Sequence, residues 1–467
     1  MKNNLLRKTF ERIEKYLEEL ETSKKYLNNH SSPKNLADKI DIPIQEKSNM
    51  DILPLIDSYL ENSVKTGSKH FYNQLFGGIN IPAILGEFIT TVTNTSMYTY
   101  EVAPLATLLE KELINEFCRA IGYSSNEGIF VTGGSNSNML ALLIAQYKFD
   151  KTHKYKGNKD KDYIFFVSEE SHYSYDKAAI IQGIGLDNII KIKTYGQGAI
   201  IPEELEKAIL NEQKNNKNPF FVGLTAGTTV RGAFDPIPDI LNICKKYNLW
   251  SHIDGSWGGT LLYSNLKNSL LKGCQNADSF SIDAHKMIGV PLICSAIMFK
   301  DKGFLYDLNN ISGMDYLLRD EDDINYNLGN FSLQCGRRVD SLKLWFTFKY
   351  FGREGIRERI NHLILLSQYT SQKIDNDKNF ELISQTISLN ICFRFYNPAD
   401  SNKIAEKRLD YIRKTLMIDL KYLVNTAHVN DKKCFRLIIV NPDLNKKDID
   451  GLLKTIKNIA LCFKNEK

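Results

Sequence analysis

The chain has 467 residues, which at roughly 100–200 residues per domain makes two or three packed units and excludes a peptide or a small binding module. Apolar residues are 43% of it and charged residues 25%, with 12 Pro and 28 Gly, the balance of a globular chain and not of a disordered one. Lys plus Arg number 60 against 55 Asp plus Glu, and the net +5 is too thinly spread to point to nucleic acid or an anionic membrane, so the expected partner is a small molecule.

The eight cysteines are scattered without a C-x-x-C pair, which speaks against a zinc cage or a disulfide framework and for a reducing compartment. The opening MKNNLLRK lacks the apolar centre of a signal peptide, and nowhere do about 18 apolar residues run together. The expectation is a cytoplasmic protein with no membrane contact and no metal.

In chain order, apolar residues at Leu6, Phe10, Ile13, Leu17 and Leu20 recur three or four apart, the stripe of an amphipathic helix over 5–27. The linker NNHSSP (28–33) ends it. That stripe packs either on a second subunit or back on the chain's own core, and both readings stand. The middle third alternates β-branched runs at 128–131, 163–167, 189–192, 220–225, 249–253, 279–282 and 295–299 with helical patterns such as 138–148 and 239–247. This predicts an α/β fold with a mostly parallel sheet, helices on both faces, and ligands at the C-terminal ends of the strands. Beyond about 343 the pattern turns to helices with strands at 380–382, 388–395 and 435–440, a smaller α+β domain.

Several residues in this frame carry chemistry. Lys286, in SIDAHKMIGVP, follows a strand and sits among apolar neighbours, where a desolvated amine can form a Schiff base; most lysines are solvated surface charges. Asp254, in LWSHIDGSWGG, ends an apolar strand and precedes small residues that let a flat group approach. It either caps a helix or holds the ring-nitrogen proton of a pyridine cofactor. Asp254 and Lys286 at adjacent strand ends supply the two groups such a cofactor needs. The turn TGGSNSN before a helix offers amides and hydroxyls to a phosphate, or is plain punctuation. His172, in SEESHYS, lies just past another strand.

From about His70 onward the chain resembles the group II pyridoxal-phosphate amino-acid decarboxylases, in the branch of glutamate and cysteine sulfinate decarboxylases. The resemblance is carried by HFYNQLFGG (70–78), NTSMYTYEVAP (94–104), GIFVTGGSNSNM (128–139), SEESHYS (168–174), TAGTTVRGAFDPI (225–237), LWSHIDGSWGG (249–259), HKMIGVPLICSA (285–296) and QCGRRVD (334–340). It implies a fold type I enzyme with pyridoxal 5'-phosphate as cofactor, working as a homodimer with an N-terminal helical, dimerising segment 1–88, a large cofactor domain 89–343 and a small C-terminal domain 344–467.

The resemblance further implies that Lys286 forms the internal aldimine, Asp254 pairs with the ring nitrogen, His172 stacks on the ring and Thr225 lies beside it, while Ser135, Asn136, Ser137 and His285 bind the phosphate. Tyr316 would protonate the substrate Cα at the quinonoid stage, and Arg436 would receive the α-carboxylate. Asn73, Gln74, Phe76, Ser96 and Tyr98 would line the side-chain pocket. A bulky Phe76 is closer to the cysteine sulfinate type and predicts aspartate or cysteine sulfinate as substrate, with glutamate the alternative; a transaminase, a desulfurase or a non-catalytic binder are remoter readings. Two departures stand out: Asp283-Ala284 where the family has Asn-Pro, and Gly255-Ser256 where it has Ala-Ala.

Overall fold

A computed structural model of the chain describes residues 2–28, 36, 51–158, 161–311, 326–419 and 421–464. They form two compact units, Asn80–Ile364 and a second that joins Met1–Ile79 to Leu365–Lys467. In chain order the strands among the described residues are β1 (Phe71–Tyr72), β2 (Glu127–Val131), β3 (Tyr163–Ser168), β4 (Ile189–Ile192), β5 (Asn218–Thr225), β6 (Trp250–Asp254), β7 (Ser279–Asp283), β8 (Ser295–Phe299), β9 (Phe380–Leu382), β10 (Asn390–Phe395), β11 (Leu423–Val429) and β12 (Lys432–Ile438).

The unit Asn80–Ile364 is built on one seven-stranded sheet of order β2-β8-β7-β6-β5-β3-β4. Its strands are parallel except β8, which runs against both of its neighbours. The apolar runs of the middle third are therefore the mostly parallel α/β sheet that their spacing predicts. Strand β3 is buried along its whole length, as expected of a strand reached through helical crossovers, which leaves neither face to water. The helix Gly134–Phe149 packs Leu140, Leu142 and Ile144 into the same core as Ile129, Phe165, Phe221 and Ile297, and its apolar residues accordingly run round it instead of forming a single stripe.

The second unit carries a five-stranded sheet of order β1-β11-β12-β10-β9, antiparallel except that β1 lies parallel to β11. Two of its strands escape the sequence pattern. Strand β1 is a single dipeptide, and β11 (LVNTAHV) buries only Val424 and Val429 fully, so it has no clean alternation to read. The hairpin signal was nonetheless there: Asn430 and Asp431 both take positive φ, 49° and 59°, the conformation a tight two-residue turn demands and Asn and Asp tolerate. That turn starts β12 at Lys432, ahead of the expected 435.

The N-terminal helix spans Lys2–Thr22 and is tied to the helix Leu53–Asn62 by Arg12 Nε to Asp57 Oδ1 at 2.7 Å. Leu20 is buried, whereas Leu6 and Phe10 stay 56% and 46% exposed, so its stripe is only partly covered by this chain. The expected linker lies, beyond Asn28, outside the described residues.

Candidate active site

Strand register gathers the chemistry in the unit Asn80–Ile364. Thr225 ends β5 opposite Asp254 at the end of β6, and Asp283 ends β7, so the carboxyl ends of three adjacent parallel strands open on one edge, where α/β sheets bind ligands. Because β8 is reversed, Ser295 pairs with Asp283 on one side and Val131 on the other. This sets the turn after β2, Thr132-Gly133-Gly134-Ser135, next to the loop that carries Lys286.

Asp254 is 5% exposed. Its Oδ2 accepts from Asn138 Nδ2 at 2.7 Å and its Oδ1 from the Ser256 amide at 3.0 Å. Burial pushes its carboxyl up, but the bonds from Ser256 and Asn138 and the fields of His252 and Lys286 outweigh burial and leave it below the ordinary carboxylate value. An ionised acceptor is thus held at the strand end, and the helix-cap alternative falls away, since no described helix begins there with an Asp254 cap.

Lys286 Nζ lies 3.0 Å from Asp283 Oδ2. Asp283 is buried, and its other oxygen, Oδ1, has no hydrogen-bond partner. His285 accepts at Nδ1 from the Cys294 amide at 3.1 Å, with Nε2 3.7 Å from Asp283 Oδ2; burial lowers its pKa despite that carboxylate. In the first turn of the helix Gly134–Phe149 Ser135 is exposed, Asn136 half-buried and Ser137 buried, and Ser137 Oγ is unpartnered. Gly133 has φ 121°, which favours glycine, and a Cβ on Gly134 would collide with Ser256 Oγ and come within 2.9 Å of Asp283 Oδ2. The spaces beside Gly255 and Gly258 are filled by Ser281 O, Phe280, Ala226 O and Phe234, so those glycines serve the chain's own packing and not the approach of a flat ligand. Thr225 donates its amide to Asp235 Oδ2 at 2.6 Å, while its own hydroxyl is buried without a partner. His172, half-buried, accepts the Ser174 amide at Nδ1, and burial lowers its pKa, with Asp254 opposing.

Ser96 and Tyr98 belong to this same unit, and the Tyr98 ring occupies the space where a Cβ on Gly329 would sit. Asn73, Gln74, Phe76 and Arg436 belong to the other unit. There Arg436, on β12, donates through Nη2 to Asn73 O at 2.9 Å. Phe76 packs its ring 6.0 Å from that of Phe71, and Gln74 is exposed. Tyr316 lies outside the described residues.

The family profile described as "Pyridoxal-dependent decarboxylase conserved domain" matches residues 33–396. The chain belongs to that family. This decarboxylase is 36% identical over 441 residues to the human "Acidic amino acid decarboxylase GADL1", covering 91% of this chain and 84% of the relative. It is 35% identical over 442 residues to the mouse "Cysteine sulfinic acid decarboxylase", covering 90% and 88%. The crystal structure of mouse CSAD in apo form superposes with a TM-score of 0.94 at 32% identity, over 98% of each chain.

Its cofactor is pyridoxal phosphate, and the site fits that group. The decarboxylase offers an amine at Lys286, an ionised acceptor at Asp254, a helix N-terminus at Gly134, and three buried hydroxyls without partners on Ser137, Thr225 and Ser256. The last is the hydroxyl of the Gly255-Ser256 departure, and it faces the phosphate turn.

Asp283 is the discordant charge. A carboxylate beside that turn repels a phosphate dianion, so Asp283→Asn is expected to tighten pyridoxal phosphate binding to the apoprotein by about tenfold or more. Titration of intrinsic fluorescence measures it; weaker binding by the variant would show that Asp283 helps the cofactor in.

Sequence reasoning missed the decarboxylase's residues behind Asp254. His252 Nε2 is 3.0 Å from Asn138 Oδ1, and His252 Nδ1 is 2.9 Å from Ser279 Oγ. A signal existed, because residues two apart on a strand share a face, and His252 precedes Asp254 by that spacing. Arg337 of QCGRRVD has no sequence neighbour that reveals its partner. In the structure it binds Glu110 at 3.0 and 3.1 Å and the carbonyl of Phe130 at 3.1 Å.

Proposed function

We propose that this enzyme removes the α-carboxylate of a short acidic L-amino acid, aspartate or cysteine sulfinate ahead of glutamate, releasing CO2 and the amine. The observation that carries a carboxylate-bearing substrate is Arg436. It is 7% exposed, burial lowers its pKa, its Nε has no partner, and no carboxylate lies within ion-pair distance of it among the described residues. A buried guanidinium without a counter-ion is costly to the fold and suited to a bidentate carboxylate. The named specificities of the human and mouse relatives, acidic amino acid and cysteine sulfinic acid, support the same class.

In this reading Arg436 holds the substrate carboxylate, and Asn73, Gln74, Phe76, Ser96 and Tyr98 shape the pocket for its side chain. Lys286 is the cofactor's covalent anchor, Asp254 keeps a proton at its ring nitrogen, His172 and Thr225 fix the ring, and Ser135, Asn136, Ser137 and His285 take the phosphate. Bound in this way, the pyridine ring supplies the electron sink for the carbanion left when CO2 departs. Tyr316 then delivers the proton to the substrate Cα as general acid. Glutamate decarboxylation remains the second reading on the family branch alone.

The test is CO2 release across aspartate, cysteine sulfinate, cysteate and glutamate, with Lys286→Ala as the blank. One methylene is worth about 1–3 kcal/mol in a fitted pocket, so kcat/KM for aspartate or cysteine sulfinate is expected to exceed that for glutamate by about tenfold or more. A glutamate preference would reverse the assignment. Light scattering on the same preparation tests the homodimer, supported by the exposed Leu6 of the N-terminal helix. A mass of one 53.4 kDa chain would refute it. A cytoplasmic location is supported by eight free cysteines, six of them buried, and no described helix is long and apolar enough to cross a membrane.

A further inference from the structure

Behind Asp254 runs a chain of hydrogen bonds with a single direction. A carboxylate only accepts, so the amide nitrogen of Asn138, 2.7 Å from Asp254 Oδ2, is the donor. This turns Asn138 Oδ1 toward His252 Nε2, 3.0 Å away, and that nitrogen must carry the hydrogen. In a neutral ring His252 Nδ1 is then the acceptor and takes the hydroxyl proton of Ser279 at 2.9 Å. The Ser279 oxygen in turn accepts from Trp250 Nε1 at 3.0 Å. An indole nitrogen only donates, so the sequence starts at Trp250 and every donor in it points toward Asp254. The middle of it is sealed: Ser279 and His252 are 0% exposed and Asn138 is 1% exposed.

We propose that Asn138 and His252 are positioning residues for Asp254, forming an electrically neutral relay that fixes the plane of the carboxylate and leaves its whole negative charge for the group in front of it. The proposal rests on the assignment of Asp254 to the cofactor's ring nitrogen. Neutrality is the point of the arrangement. An imidazolium at His252 would draw on the charge of Asp254 from behind, and it would turn Nδ1 into a donor, leaving the buried Ser279 hydroxyl proton with no acceptor within hydrogen-bond distance among the described residues. Independently of this geometry, burial lowers the pKa of His252 to about 4, against the pull of Asp254, so the ring stays neutral through the working range. The second oxygen of Asp254 is held by the Ser256 amide at 3.0 Å, which leaves the carboxylate no freedom to rotate away.

Two measurements test the relay. The first is long-range proton–nitrogen NMR on apoprotein with 15N-histidine, with the His252 signal assigned from its loss in His252→Gln. A neutral ring protonated at Nε2 at all points from about pH 6 to 9 is expected; the Nδ1 tautomer, or an imidazolium in that range, would overturn the proposal. The second compares His252→Leu and Asn138→Ala with His252→Gln, whose amide can both donate to Asn138 and accept from Ser279. Loss of the Asn138 bond to Asp254 in Asn138→Ala, and of the bond that orients Asn138 in His252→Leu, predicts that these two variants bind pyridoxal phosphate about tenfold more weakly and lose about tenfold in kcat with KM unchanged, while the glutamine variant stays within about threefold of wild type. A purely structural role would lower the melting temperature of the leucine and glutamine variants alike without separating their kcat values, and that result would sink the idea. Asp254→Asn is the control: if it keeps wild-type kcat, the assignment of Asp254 to the ring nitrogen has failed, and the NMR result still decides the direction of the relay.

Discussion

Asp254→Asn is expected to lower kcat by about 100- to 1,000-fold, the usual cost of removing a preorganised charge from the point where charge develops. The substitution keeps size and shape but replaces an anion with an amide. One end of that amide must accept from Asn138 or from the Ser256 backbone, as Asp254 does now. In the proposed assignment the other end would present N–H toward the ring nitrogen in place of an acceptor, and the asparagine could no longer hold the proton that the electron sink requires. Lys286 and the unpartnered hydroxyls of Ser137, Thr225 and Ser256 are untouched, so cofactor occupancy, followed by its absorbance, is expected to persist at saturating concentration. A kcat within a few-fold of wild type at full occupancy would remove Asp254 from the mechanism.

The second large effect is on stability. Arg337→Met leaves Glu110, 2% exposed, as a buried carboxylate stripped of its counter-ion, a change that costs about 3–5 kcal/mol. Burial already pushes the Glu110 carboxyl above its usual value even with Arg337 opposing. Without the guanidinium it rises further. A carboxyl that binds its proton more tightly folded than unfolded favours the folded state at low pH and loses that advantage as pH rises through the folded value. The variant's deficit in urea unfolding is therefore expected to be smaller near pH 5 than near pH 8. Adding Glu110→Gln to Arg337→Met is expected to recover part of the loss, since the two residues act as a unit. A deficit independent of pH would mean that Glu110 is not the group left exposed to the change. The damage reaches the site by a short path, because Glu110 also accepts the Phe130 amide and Arg337 donates to the Phe130 carbonyl, in the strand that delivers the phosphate turn.

What could be read before folding follows from range. Strands buried on both faces announce themselves as continuous apolar runs, and so β3, which is parallel, and β8, which is not, were legible to within a residue. Asp254 and Lys286 were legible because each ends or follows such a run. Strand β11 was not, since its pairing depends on partners on either side and it buries little of its own. Side-chain partnerships across long separations left no local trace: nothing near Arg337 names Glu110, 227 positions away, and nothing near Asp254 names Asn138, 116 positions away. His252 lies between these cases, on the same strand face as Asp254 but recognisable only once that face is known to be the working one.

The reversal of β8 has a consequence for how this enzyme can vary. A strand reached by a crossover helix tolerates drift in the length of its connection, whereas β8 returns directly into the sheet beside β7, with residues 284–294 as the whole link between them. One residue inserted there and not absorbed within the link would turn β8 over, exchanging its two faces. Because Ser295 is paired to Asp283 and Val131 at once, the slip would pass straight through to the turn at Gly133. The Lys286 loop and the turn at Gly133 are thus a single mechanical part: changes of length in one must be matched in the other, and library design or loop grafting in this enzyme has to treat them as one exchangeable cassette.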